Sequence, residues 1–324
     1  MGKGKRRWPA AALAVLLLAA ASAAAAQAYP NRAVRLVISF PPGGALDVVG
    51  RPVAQKLAEA FKQPVVVENR GGAGGTIGSE YVARQPADGH TLLLTAGTSH
   101  GTGSSFYPGL PYDPVKDFVP IAAAVEVVVT LAAHPGFAPA SVRELIDYAR
   151  AHPGKLSYGS SGIGSPMHLA GELLRETAGI DIVHVPYKGA GPAITDLLGG
   201  QIPLAFVSLA SVMGHVKSGK LRAMAVVEAQ RYKGMPEIPT IKETLPQYDM
   251  FTSWLGFFAP AGTPRDIVAR INAEINRALA DPELAAKLES AALVRLNTTP
   301  EQFAAMVHKE LEIGARFARR LGVK

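Results

Sequence analysis

The chain of 324 residues contains no cysteine, which removes disulfide staples, thiol nucleophiles and cysteine–metal sites together. Stability must come from buried apolar surface instead. The eight histidines are scattered, with no pair at i, i+4 and no H-E-x-x-H, so no metal site is expected. No G-x-x-x-x-G-K-S/T occurs, which excludes a P-loop. Beyond the N-terminal run, no apolar stretch is long enough to span a membrane. The formal charge of +7 suggests a basic protein, but Lys3, Lys5, Arg6 and Arg7 stand at the very start; removing these four of the 33 Lys and Arg leaves 29 against 26 Asp and Glu, or +3. No basic block is left to point to nucleic acid.

What is present begins with an export signal. The basic start is followed by an alanine- and leucine-rich run from Ala10 to Ala26, and Ala26-Gln27-Ala28 fits an A-x-A cleavage site before Tyr29. A signal peptide over 1–28, cleaved near Ala28, is therefore expected. The run is short for a membrane anchor, and the residues around Arg6-Arg7 give little support to twin-arginine export. The remaining chain is long for one core and comfortable for two lobes.

After residue 33, strand and helix signals alternate, which predicts an α/β fold with mainly parallel sheets flanked by helices. Val34–Phe40 reads as a strand. It runs into Pro41-Pro42-Gly43-Gly44 and a helix from about Ala45, with Val49, Val53, Leu57 and Phe61 on one face. Val119–Ala133 is a long β-rich stretch suited to crossing between lobes, and Trp254–Ala259 suits the return. Gly97–Pro114 reads as irregular loop. Ser141 with Glu144 forms a capping box, and Thr263-Pro264, Asp281-Pro282 and Thr299-Pro300 read as three cap-plus-proline helix starts.

The strand–glycine–helix junction recurs at Tyr158–Pro166 and at Pro186–Pro192. Glycine lets backbone approach a ligand, and the helix start that follows offers free N–H groups and partial positive charge. Several such turns hold an anion without needing a lysine or arginine. In parallel sheets all of them lie at strand C-terminal ends, where ligands bind. Ser160, Ser161, Ser165, Thr95, Thr98 and Ser99 are the hydroxyl contributors expected beside them. Asp47 is an acceptor that either meets the ligand or satisfies the helix start.

Two enzyme readings compete. Gly97-Thr98-Ser99-His100-Gly101 matches G-x-S-x-G, but an esterase elbow needs a helix directly after the serine, and the continuation reads as loop. Gly72, Gly74 and Gly78 give G-x-G-x-x-x-G, the wrong spacing for a dinucleotide fingerprint. No catalytic residue, cofactor or metal is expected.

The chain from Tyr29 onward resembles the Bug-type receptors of tripartite tricarboxylate transporters. The resemblance rests on Tyr29-Pro30, Phe40-Pro41-Pro42-Gly43-Gly44 with Asp47, Val67–Gly75, Pro86–Thr91, Tyr158–Gly162 with Gly164-Ser165, His184–Gly189, Pro239-Thr240 with Glu243, and Ala259–Pro264. It implies a two-lobed periplasmic-binding-protein (Venus flytrap, type II) fold, with 29–126 plus 256–324 as lobe 1 and 127–255 as lobe 2. It implies a monomeric, non-catalytic periplasmic receptor for a small carboxylate (a di- or tricarboxylate or an aromatic acid). The partners implied are membrane permease subunits and, for some such receptors, a sensor kinase. Carried onto this chain, the contacts fall around Phe40, Gly43, Gly44, Asp47, Thr95 and Thr98 in one lobe, and Ser160, Ser161, Gly164, Ser165, Tyr187 and Gly189 in the other; Ser99 and Ser208 are expected to be ligand-binding as well. Many relatives place an acidic residue where Ser208 stands here, which favours a plain carboxylic acid over an amino acid.

Overall fold

The computed structural model describes residues 29–106, 109–251 and 253–322; the expected signal peptide lies outside them. Apolar alternation and continuous Val/Leu/Ala runs build eleven strands, β1 (Val34–Ile38), β2 (Val65–Asn69), β3 (Thr91–Ala96), β4 (Phe118–Val127), β5 (Val129–Ala133), β6 (Leu156–Ser160), β7 (Ile182–Pro186), β8 (Leu204–Ser208), β9 (Arg222–Val226), β10 (Trp254–Pro260) and β11 (Leu293–Arg295). They form two sheets, ordered β11-β4-β10-β3-β1-β2 and β7-β6-β8-β5-β9. Each sheet is mixed. The strands that feed the glycine turns pair in parallel, β2 with β1 and β1 with β3, then β7 with β6 and β6 with β8. The strands through which the chain crosses are antiparallel to their neighbours. The expectation of mainly parallel sheets holds only for the half that carries the turns, because a chain that leaves a lobe and returns must run back against its own exit.

The helices follow the strands. They are α1 (Ala45–Phe61), α2 (Thr76–Ala83), α3 (Gly97–His100), α4 (Val142–Ala151), α5 (Pro166–Ala178), α6 (Ala190–Leu198), α7 (Leu209–Lys217), α8 (Ile241–Thr244), α9 (Arg265–Leu279), α10 (Pro282–Ser290) and α11 (Pro300–Arg320). Val49, Val53, Leu57 and Phe61 of α1 are buried on the first sheet, as their spacing predicts. Asp281 caps α10, and Thr299 forms a capping box with Gln302 at α11. Thr263 does not cap α9: its hydroxyl donates to the Pro260 carbonyl at 2.8 Å, and the helix begins after Pro264. The stretch after β3 is not wholly irregular, since α3 is followed by a 3₁₀ turn over Thr102–Phe106.

The long crossing stretch breaks at Val128, between β4 and β5. Val127 N–H donates to Ser253 O at 2.7 Å, so the outgoing and returning crossings are tied together. Glu228 accepts from Val129 N–H at 2.7 Å on the other side of the break.

Candidate functional site

The first turn is organised around Asp47. Ile38 ends β1, and Gly43 takes φ +93°, a left-handed conformation that favours glycine. Gly43 N–H donates to Asp47 Oδ2 at 2.8 Å, Arg51 Nε donates to Oδ1 at 2.8 Å, and Asn69 Nδ2 reaches both oxygens at 3.3–3.4 Å. The carboxylate is thus fully committed, and Asp47 acts as a strut for the turn. Asn69 also donates to Phe40 O at 3.1 Å. Gly43 and Gly44 are exposed, and a Cβ on either would meet nothing within 4 Å. Ala45 and Leu46 open α1 with N–H groups that have no partner among the described residues.

The glycine run at 71–75 supports this turn. A Cβ on Gly71 would lie 2.6 Å from Pro41 Cδ, and one on Gly75 would lie 3.0 Å from Phe40 and 3.2 Å from both Ser39 Oγ and Ser99 Oγ. Close backbone approach, not dinucleotide binding, accounts for these residues.

Behind the turn runs a buried hydroxyl chain. Ser39 Oγ donates to Thr95 Oγ1 at 2.7 Å, Thr95 Oγ1 meets Ser99 Oγ at 2.6 Å, and His100 Nδ1 lies 3.2 Å from Ser99 Oγ. All four residues are buried. Thr95 and Ser99, expected to offer hydroxyls to a ligand, bond to each other instead. Burial pushes His100 down to about 3, so the ring is neutral. Ser99 sits third in the four-residue α3, buried and without the long following helix of an esterase elbow. Thr98 lies in the same helix.

In the second lobe, Gly162 at φ +132° and Gly164 at φ +77° fold the loop after β6. Ser160 Oγ contacts His184 Nε2 at 2.7 Å and accepts from Gly162 N–H at 3.1 Å. Gly164 N–H donates to His168 Nδ1 at 3.1 Å. Ser165 caps α5, accepting from His168 N–H at 3.2 Å and donating to Gly162 O at 2.7 Å, with Pro166 at the first helical position. His168 and His184 stack 4.1 Å apart, and Tyr158 stacks on His184 at 5.0 Å. Burial depresses both histidines, His184 to about 3, so this column is an uncharged support. Neither histidine carries a signal of its role in the sequence; each earns it by stacking across elements.

Tyr187 N–H donates to Ser160 O at 3.2 Å, and its hydroxyl donates to Asp196 at 2.7 Å. Desolvation and that carboxylate push the phenol up to about 12. Gly189, at φ +105°, donates its N–H to Ser161 O at 3.1 Å and opens α6 with nothing within 4 Å of a would-be Cβ. Ser161 itself donates to Met167 Sδ at 3.6 Å. Ser208 precedes α7 and donates to Ser211 Oγ at 3.0 Å. The N–H groups of Gly43, Gly164 and Gly189 are therefore engaged internally. Those of Ser161, Ile163, Lys188, Ala190 and Gly191 have no partner among the described residues.

The lobes meet at the second-lobe loop. Thr102 Oγ1 lies 3.4 Å from Gly164 O, and the Phe106 and His168 rings stand 5.9 Å apart, edge to face. Phe106 is counted with the apolar cluster of the second lobe. Among the described residues, the arginines beside the first turn are committed: Arg51 pairs with Asp47, and Arg70 pairs with Glu68 at 2.6 Å while stacking on Tyr81.

A separate groove of about 560 Å³ lies at the crossing strands, lined by residues that include Glu126, Glu228, Tyr232, Phe251 and Leu293, and by none of the glycine turns. Burial raises Glu126, and it pushes Glu228 up to about 8. Arg231, Lys233 and Arg295 line the groove as well, so it is mixed in charge, and no helix start opens into it. Among the described residues no group of His, Asp and Glu is placed to hold a metal, and no helix is long and apolar enough to cross a membrane.

Comparison with known proteins covers nearly the whole chain. The domain described as "Tripartite tricarboxylate transporter family receptor" (TctC) matches residues 49–323. Protein BugT of Bordetella pertussis (strain Tohama I) is 35% identical over 301 residues, 92% of this chain and 92% of its own. The structure of R. palustris Rpa4515 with adipate is similar at TM-score 0.78 and 34% identity, covering 91% of this chain and 99% of that one. MatC (Rpa3494) from Rhodopseudomonas palustris with bound malate is similar at TM-score 0.74 and 32% identity, covering 89% and 99%.

Proposed function

The chain belongs to the tripartite tricarboxylate transporter receptor family, Bug-type periplasmic solute-binding receptors and not enzymes, and from that premise we propose that it captures a small carboxylate between its lobes. The observation that carries this reading is the meeting of the lobes at Thr102 and Gly164, beside the start of α5. The starts of α1 and α6 supply further unpartnered N–H groups. A micromolar ligand needs about 8 kcal/mol. Hydrogen bonds to a charged group net about 1.5–3 kcal/mol each, so four to six such donors suffice after the cost of association.

Two observations favour a plain carboxylic acid over an amino acid. The Asp47 carboxylate is saturated by Gly43, Arg51 and Asn69, and Ser208 stands at the end of β8 with only a hydroxyl to offer. Neither gives an ammonium group a free anionic partner. The adipate and malate bound by two relatives are acids of this kind. The lobes then hinge at Val128 and near Phe251–Leu255, with 29–126 plus 256–324 on one side and 127–255 on the other. Ligand bridging both shifts the population to the closed form. The closed form docks on membrane permease subunits after export and removal of residues 1–28.

Native mass spectrometry of freshly purified protein, then calorimetry with adipate, malate, benzoate and aspartate, tests this reading. Micromolar binding of at least one plain acid, with aspartate at least tenfold weaker, is expected. Binding of none of the four, or hydrolysis of an ester that Ser99→Ala abolishes, overturns it.

A further inference from the structure

Helix α11 spans both lobes. Phe303 and Val307 near its start pack with Trp254 and Phe258 of the first lobe. Phe317 and Ala318 near its end join the apolar cluster of the second, and Arg320 pairs with Glu176 of α5 at 2.8 Å. Midway lies Glu310, 1% exposed, with no basic partner among the described residues. Its carboxyl group fills the space over Gly97 and Gly101, where any Cβ would collide with it. Glu310 Oε2 and the Trp254 indole N–H are both buried and neither makes a well-formed hydrogen bond, but the indole N–H faces the carboxyl group closely enough to favour its ionised form, against the larger effect of burial. Oε1 accepts from Thr102 N–H at 3.2 Å.

Thr102 Oγ1 is the fork. It lies 3.4 Å from Glu310 Oε1 and 3.4 Å from Gly164 O, the carbonyl of the second-lobe loop. A hydroxyl has one proton and can donate to one of them. Hydrogen bonds to an ionised acceptor are roughly twice as strong as neutral ones, so a carboxylate takes the proton from an amide carbonyl. A neutral carboxyl group is the weaker acceptor and leaves it to Gly164.

We propose that Glu310 and Thr102 are positioning residues for the second-lobe loop: neutral Glu310 leaves the Thr102 hydroxyl to hold Gly164 against the first lobe, and ionised Glu310 withdraws it. This rests on reading Gly162–Ser165 as part of the ligand site. Burial pushes Glu310 up to about 8, so both forms are reached near neutrality. The titratable groups on neighbouring elements do not compete. His100 on α3 and His168 on α5 are held neutral by burial, β10 presents the Trp254 indole, and Lys309 on α11 pairs with Asp249. Closure that needs the neutral form weakens as pH rises through about 8.

The test uses protein exported and purified from the periplasm, where loss of the leader and its Trp8 leaves Trp254 as the single tryptophan. Trp254 fluorescence is expected to titrate with a midpoint near 8 in the wild type and to stay flat in Glu310→Gln. Whichever of adipate, malate and benzoate binds is expected to bind at least threefold more weakly at pH 9.5 than at pH 6.5. Thr102→Val should keep the fluorescence titration and lose that pH dependence, and Thr102→Ser should keep both. Amide exchange over 161–165, corrected for its intrinsic pH dependence, reads the loop with no ligand present. Protection falling above the midpoint in wild type and Thr102→Ser, but not in Thr102→Val, supports the relay. A flat Trp254 signal in the wild type, or loop protection that responds to pH equally in Thr102→Val, overturns it. Failure of all four acids to bind the wild type overturns the carboxylate reading instead, and the fluorescence and exchange results stand apart from it.

Discussion

At the scale of single residues, the glycines of the turns act chiefly through φ and the space they leave open. Gly43 at φ +93° has room around it, so a side chain there is refused by backbone conformation and not by crowding. Gly164 is refused on both counts, since its φ is +77° and a Cβ would lie 2.9 Å from Phe106 Cβ. Gly43→Val and Gly164→Val are each expected to weaken acid binding at least tenfold while far-UV circular dichroism is unchanged. Normal affinity by calorimetry in both would show the site to be misplaced. Asp47 governs the first turn through three donors. Asp47→Ala removes the acceptor shared by the Gly43 N–H, Arg51 and the half-buried Asn69 amide, which keeps only Phe40 O, a cost of about 1 kcal/mol. Urea unfolding should register that loss together with a weaker ligand Kd.

At the scale of elements, caps and crossings divide the work. Ser165 ties the start of α5 to the loop that precedes it, by accepting from His168 N–H and donating to Gly162 O. Ser165→Ala should cost about 1 kcal/mol of stability. Its effect on binding should exceed its effect on the unfolding midpoint, because the loop loses its anchor along with the helix. The helix starts and turns were legible in the sequence: proline and glycine fix φ locally, and serine, threonine and aspartate cap within three residues. The α1 face at Val49, Val53, Leu57 and Phe61 was legible for the same local reason. The antiparallel half of each sheet was not, because strand direction follows from where the chain re-enters a lobe more than a hundred residues later. Thr263 misleads as a cap because the backbone around Pro264 leaves its hydroxyl nearer the Pro260 carbonyl.

At the scale of the whole molecule, α11 and the crossing strands join the lobes. Phe317 is 1% exposed within the second lobe's cluster, and Phe317→Ala is expected to cost about 3–5 kcal/mol by urea unfolding, the usual range for a buried phenylalanine. Glu310, raised by burial to about 8 from 4.5, makes stability depend on pH. The folded state keeps a proton that the unfolded state releases above about 4.5, so stability is highest below that pH and is lost as pH rises toward 8. The slope is at most about 1.4 kcal/mol per pH unit for this one group. Melting temperatures between pH 5 and pH 8 should fall in the wild type and fall less in Glu310→Gln, and equal slopes in the two proteins would count against a buried neutral Glu310.

The sequence by itself determined the α/β class, the positions of the glycine turns and the family, because each is written in neighbouring residues or in a continuous pattern. Tertiary structure alone decided where the polar side chains face. Thr95 and Ser99 turned inward to Ser39 and His100, Asp47 was spent on its own turn, and Glu310 came to lie against a loop 208 residues earlier in the chain. A hydroxyl or carboxyl group bonds whatever packing brings within about 3 Å, and that partner is set by the fold and not by the residues beside it.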